Sequence, residues 1–260
     1  MIRRAWREFL LALEFLTILR FRRSVTYNPA GIGGSLAWFP LVGLLIGGLL
    51  VAVDAAGSWL FPVYLIPALV IAANAVITGA LHLDGLADTA DGLFGGHTPE
   101  RRLEIMRDSR TGTFGVVAVV LVLLLSYASL LSMTDVSRRA ILLVAPVISR
   151  MMMVVAILRF PYARPSGLGR AFKDNPPHGW LVTLGVLVLA VSLVGVVWFW
   201  VLLSIAGLGL VLLAGWFVSR RLGGLTGDVY GAAGVLIEVA LFLVVATDTE
   251  HPWVDRLLGW

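Results

Sequence analysis

The sequence predicts an all-α, polytopic integral membrane protein, and three observations lead there. Of its 260 residues, 59% are hydrophobic and only 14% charged, with a mean hydropathy of +0.92. No globular core of this size absorbs so much apolar side chain, which excludes a soluble domain. The apolar residues fall in runs near the ~20 residues that a helix needs to cross a bilayer. The basic residues gather on one side of those runs, as the positive-inside rule requires.

Residues 1–23 set Arg3, Arg4 and Arg7 against Phe9, Leu10, Leu13 and Leu16, the pattern of an amphipathic helix lying in the membrane interface. Glu14 interrupts the apolar run and argues against a signal peptide. Apolar spans are predicted at 36–53, 60–81, 114–131, 140–158 and 229–246. The run 180–218 is too long for one crossing and is split near Trp198-Phe199-Trp200, an aromatic cluster suited to an interface, giving about seven transmembrane helices. With the amino terminus in the cytoplasm, sixteen basic residues lie inside and three (Arg138, Arg139, Arg256) outside, with Arg150 within a span. That bias predicts a multi-pass membrane protein with its amino terminus inside, built as a single membrane-embedded domain over 1–260. Its motif loops 82–113, 159–179 and 219–228 would all be cytoplasmic. The pI near 10 then reflects topology, and no nucleic-acid partner is expected.

The chain has no cysteine, which excludes disulfides, a thiolate nucleophile and Cys-ligated metals. A metal would rely on Asp, Glu, Asn or His, which favours Mg²⁺ or Mn²⁺. The stretch Leu81-His82-Leu83-Asp84-Gly85-Leu86-Ala87-Asp88-Thr89-Ala90-Asp91-Gly92 supplies such a set. On a helix, Asp84, Asp88 and Asp91 fall within a sector of roughly 60°, where like charges repel unless a divalent cation neutralises them. Two of the three precede Gly, which would let a bulky anion approach the backbone. The trio is therefore expected to bind Mg²⁺, with His82 a candidate ligand or neighbour.

Further along the first loop, Thr98-Pro99-Glu100 reads as an N-cap followed by a helical first turn. Arg101, Arg102, Arg107 and Arg110 follow, around Asp108, as candidates for holding phosphate through the planar guanidinium fork. The second loop carries Arg159, Arg164, Arg170 and Lys173 among aromatics and glycines. The third, Gly223-Gly224-Leu225-Thr226-Gly227-Asp228-Val229-Tyr230-Gly231, sets Asp228 at the head of the last span, with Gly227 and Gly231 suited to helix packing. Asn74, Arg150 and Glu238 fall at membrane depth, where an ionisable group points to function or to a structural pair.

The runs Thr-Gly-Ala-Leu-His-Leu-Asp-Gly-Leu-Ala-Asp-Thr-Ala-Asp-Gly from Thr78 and Arg-Arg-Leu-Glu-Ile-Met-Arg-Asp-Ser-Arg-Thr-Gly-Thr-Phe-Gly from Arg101 closely resemble the cobalamin synthase (adenosylcobinamide-GDP ribazoletransferase) family. Trp38-Phe39-Pro40-Leu41-Val42-Gly43, the block from Leu225 to Ala232, and Glu238 also look like family features. Leu16-Thr17-Ile18-Leu19-Arg20-Phe21 departs, since the family leads one to expect an Arg and a Pro just after the Thr. The resemblance implies a Mg²⁺-dependent condensation of adenosylcobinamide-GDP with α-ribazole, or its 5′-phosphate, releasing GMP. The residues supply a compatible mechanism: catalytic Asp84, Asp88 and Asp91 would hold Mg²⁺, and one of these or catalytic Asp228 would take the proton from the ribose hydroxyl. Arg101, Arg102 and Arg110 would hold phosphates, with His82, Asp108, Arg150, Arg164 and Glu238 as further substrate-binding candidates. The resemblance also implies a bacterial cytoplasmic (inner) membrane. A homo-oligomer, or association with other cobalamin-assembly enzymes, stays open. The competing readings are a CDP-alcohol phosphotransferase-like enzyme, a membrane prenyltransferase, and a transporter. The Asp-Gly-x-x-Ala-Arg spacing of the first is not met. A transporter would spread polar groups through several spans instead of gathering them at one interface.

Overall fold

The computed structural model describes residues 2–21, 29–176 and 197–250, and it is helical, with no strand among them. The amphipathic start forms α1 (Ile2–Leu16). Arg3, Arg4 and Arg7 are exposed, while Leu10, Leu11, Ala12 and Leu16 are buried against the bundle. The protein itself thus covers much of the face expected to lie on lipid. A short α2 (Pro29–Ser35) leads into α3 (Phe39–Leu60), the first long apolar helix.

Helix α3 packs along α8 (Asp135–Arg159), the most enclosed of the long helices. Two glycines a turn apart permit that contact: a Cβ on Gly43 would lie 2.5 Å from the Pro146 carbonyl oxygen, and one on Gly47 2.6 Å from that of Leu143. At the end of these helices away from the acidic motif, buried Asp54 is gripped by Arg138 and by Arg139 (2.8 Å), and Arg138 also reaches Asp135 at 2.7 Å. Asp54 carries no signal of this role in the sequence, where both arginines read as outer loop charges.

The predicted span 60–81 needs correcting. The chain runs through Pro62 and a single 3₁₀ turn into α4 (Ile66–Thr78), which Gly79 and Ala80, both left-handed at φ 60° and 54°, bring to an end. Helix α5 (Leu81–Gly95) then leaves at 88° to the segment Val63–Thr78, so the two do not continue as one straight helix. Thr98 caps α6 (Pro99–Ile105) as expected, accepting the Arg101 amide at 3.3 Å. The remaining helices among the described residues are α7 (Thr113–Ser132), α9 (Leu168–Asp174), α10 (Val197–Leu222) and α11 (Gly227–Glu250). Among the described residues five helices are long and apolar enough to cross a membrane, or six if the bent α4–α5 pair is one broken span. The seventh predicted span depends on 180–197, of which 180–196 lies outside the described residues. Phe199 and Trp200, expected at an interface, are buried in the bundle.

Candidate active site

Backbone pairing builds the site. The loop after α8 and the loop before α11 clasp each other, Ala163 N donating to Leu225 O and Leu225 N to Pro161 O, each at 2.8 Å. Gly224 permits the clasp, because a Cβ there would lie 2.7 Å from the Pro161 carbonyl oxygen. The pairing holds Arg164 beside the first turn of α11, where its Nη2 donates to Asp228 Oδ2 at 2.7 Å; the Thr226 hydroxyl donates to the same oxygen at 3.2 Å. From the other side α5 presses against α11. A Cβ on Gly85 would come within 2.7 Å of the Asp228 carbonyl oxygen, so glycine lets the two helices meet and brings Asp84 and Asp228 to one cleft.

That cleft has a volume of about 270 Å³, its polar wall made by His82, Asp84, Tyr162, Arg164, Asp228 and Tyr230. Partial burial and the neighbouring charges of Asp84, Asp228 and Asp91, opposed by Arg164, push the Asp88 carboxyl up to about 6. Burial also raises the Tyr162 hydroxyl above its ordinary range. Three buried polar atoms of cleft-lining residues, His82 Nε2, Arg164 Nε and the Tyr230 hydroxyl, have no hydrogen-bond partner among the described residues. Buried polar atoms are nearly always paired, so a wall with three orphans is shaped for a polar ligand. Tyr162 and Tyr230 were missed from the sequence, although both lie inside motif loops that it singled out.

The structure does not assemble the trio of aspartates. Among the described residues no three His, Asp or Glu side chains converge as a metal site. Asp91 is buried and capping: its two oxygens accept the amides of Gly112 (2.7 Å) and Gly115 (2.8 Å) at the start of α7. The rise along the helix separates positions seven apart by about 10.5 Å, so a shared face does not bring Asp84 and Asp91 together. The Asp-Gly pairs also serve packing and not ligand approach, Gly85 against α11 and Gly92 against Met106 of the α6 segment. Gly231 packs on His82 as a small residue should, whereas Gly227 faces open space.

Asp84 and Asp88 remain, with no donor to either carboxylate among the described residues. Mg²⁺ is commonly held by one or two carboxylates together with substrate phosphate oxygens, so this pair fits the ion. The arginines of the first loop do not line the cleft. Arg101 pairs with Glu104 at 2.7 Å, and Arg102 donates to the carbonyls of Gly96 (3.0 Å) and Arg221 (3.1 Å). Exposed Arg110 pairs with Asp108 at 2.7 Å; its guanidinium holds the Asp108 carboxyl down to about 2, and the carboxylate raises Arg110 in return. The cleft's cation is Arg164, from the second loop.

Beneath the cleft the three membrane-depth polar residues meet. Arg150 is buried against Glu238, Asn74 Nδ2 donates to Glu238 Oε2 at 3.4 Å, and Arg150 Nη2 lies 3.5 Å from His82 Nδ1. His82 therefore joins this cluster to the cleft wall and is held in place by it.

The family profile of cobalamin-5-phosphate synthase matches residues 8–246. The chain belongs to the cobalamin-5-phosphate synthase family. A relative from Syntrophobacter fumaroxidans named adenosylcobinamide-GDP ribazoletransferase is 41% identical over 245 residues, covering 93% of this chain and 98% of its own length. Relatives of the same name from Desulforamulus reducens and Herpetosiphon aurantiacus are each 39% identical, over 90% and 92% of this chain and 94% and 96% of theirs. No solved structure matches the chain. Both clasped loops and the whole of α5 lie inside the region matched to the cobalamin-5-phosphate synthase family.

Proposed function

We propose that this protein is a membrane-embedded adenosylcobinamide-GDP ribazoletransferase, condensing adenosylcobinamide-GDP with α-ribazole, or its 5′-phosphate, and releasing GMP. The observation that carries the reading is one cleft holding Asp84, Asp228 and Arg164 together with three unpartnered buried polar atoms. A phosphoanhydride is the group that needs both acidic residues for a dication and a guanidinium fork.

A ribose hydroxyl oxygen attacks the phosphorus nearer the cobinamide and forms a phosphoester bond. The anhydride P–O bond breaks, and its electron pair leaves with GMP. Arg164 leaves Nε unpartnered while Nη2 holds Asp228, so the guanidinium can orient a phosphate without losing its own anchor. Asp228 Oδ1 accepts no hydrogen bond within the described residues and takes the hydroxyl proton, while Oδ2 stays fixed by Arg164 and Thr226. His82 and Tyr230 donate to phosphate or ribose oxygens. Mg²⁺, held by Asp84 and Asp88, would supply Lewis-acid polarisation of the anhydride and neutralise charge on the leaving group.

The test is purified protein in detergent with adenosylcobinamide-GDP and α-ribazole, with and without Mg²⁺, followed by detection of GMP. Asp84→Asn and Asp88→Asn are each expected to slow turnover by at least about a hundredfold. Near-normal rates in these variants would remove the metal assignment, and absence of GMP from the unaltered protein would remove the reaction.

A further inference from the structure

A second chamber of about 260 Å³ adjoins the cleft, and the side chains of Phe15, Leu81, Leu168 and Phe172 face both. Helix α1 contributes its roof. Phe15 and Phe172 meet edge to face with ring centroids 5.0 Å apart, and Phe39 braces both at 5.8 Å. The partition is therefore a locked aromatic wall that presents apolar surface to a flat ring.

The chamber also contains a carboxylate. Glu14 is only 9% exposed; its Oε1 accepts the Phe21 amide at 2.6 Å, and Oε2 takes no hydrogen bond from the described residues. A buried, oriented acceptor of this kind suits hydroxyl donors. Arg20, also on the chamber wall, directs Nη1 to the carbonyls of Glu14 (2.7 Å), Thr17 (2.9 Å) and Leu19 (2.9 Å), so this nitrogen closes off the end of α1.

We infer that this chamber binds the attacking substrate, a nucleoside with a flat, apolar heteroaromatic base, while the phosphoanhydride occupies the cleft. The base stacks on Phe15 and Phe172, and the ribose hydroxyls donate to Glu14. Leu81 opens α5 three residues before Asp84, so a ribose lying over the partition at Leu81 faces the acidic end of the cleft. The inference rests on the transferase reading and assigns its two substrates to two compartments. It also gives α1 a binding role.

Full-length Glu14→Gln and Phe172→Leu, in detergent, test it by calorimetric Kd for α-ribazole and by KM for each substrate. Glu14→Gln is expected to raise both Kd and KM for α-ribazole about tenfold, the loss of one charge-assisted hydrogen bond, and to leave KM for adenosylcobinamide-GDP within about twofold. Phe172→Leu retains apolar bulk but removes the ring, and should raise the same two constants about fivefold. Unchanged α-ribazole affinity in both variants, or a parallel rise in both KM values, overturns the assignment. Unaltered protein that forms no GMP overturns the reaction itself, a result distinguishable from either of these.

Discussion

Asp84 and Asp91 sit two turns apart on α5 and have separate duties. Asp84 is exposed in the cleft and free of protein donors, whereas both oxygens of Asp91 are spent on the amides that begin α7. Asp91→Asn keeps one acceptor and turns an NH₂ toward a backbone donor. It is therefore expected to destabilise the fold by about 1–3 kcal/mol, read as a lowered thermal midpoint. Asp84→Asn should leave that midpoint within error while GMP release collapses. If both variants behave alike in both assays, the division of labour is wrong. The sequence placed all three aspartates on one helix, and its α5 is helical as that reading needed. The orphan amides at the head of α7 could not be read there, because Asp91 meets them only after a 21-residue excursion through α6.

Glycine decides which helices touch. On α3, a Cβ at Gly47 would collide with the Leu142 and Leu143 carbonyl oxygens, while one at neighbouring Gly48 would find nothing within 4 Å. Gly47→Ala should therefore cost about 1–3 kcal/mol by forcing α3 off α8. Gly48→Ala should be neutral, or stabilising by up to about 1 kcal/mol. Equal thermal midpoints for the two variants would show that the α3–α8 contact is looser than described. The long apolar helices α3, α7, α8 and α11 were legible because length and composition suffice to find them. The bend after α4 was not, since it turns on two consecutive left-handed residues, one of them Ala80, which has no local signature for that conformation. The clasp between the Pro161 and Leu225 loops was also hidden, being a contact between distant segments.

At the scale of the molecule, every element lining the cleft lies at one end of the bundle, and the absence of cysteine allows its sidedness to be measured cleanly. Ser109 and Ser132 are both exposed and flank opposite ends of α7. With the cleft on the cytoplasmic side, a membrane-impermeant maleimide should label Ser132→Cys in intact cells and Ser109→Cys only after permeabilisation. The reverse pattern would invert the topology. Charge asymmetry alone suggested this orientation. Nothing in it indicated that Arg138 and Arg139, counted as outer loop charges, are tied to Asp54 inside the protein.

That knot of charge has a mechanical consequence. Separating Asp54 from its arginines would strand ions in a greasy interior, so α3 and α8 are riveted at the far end. At the near end α8 is tied to α11 through short loops and a pair of backbone hydrogen bonds. Stiffness thus grades along the bundle like that of a hinged clip, and a bulky corrinoid arriving or departing can pry apart only the jaws.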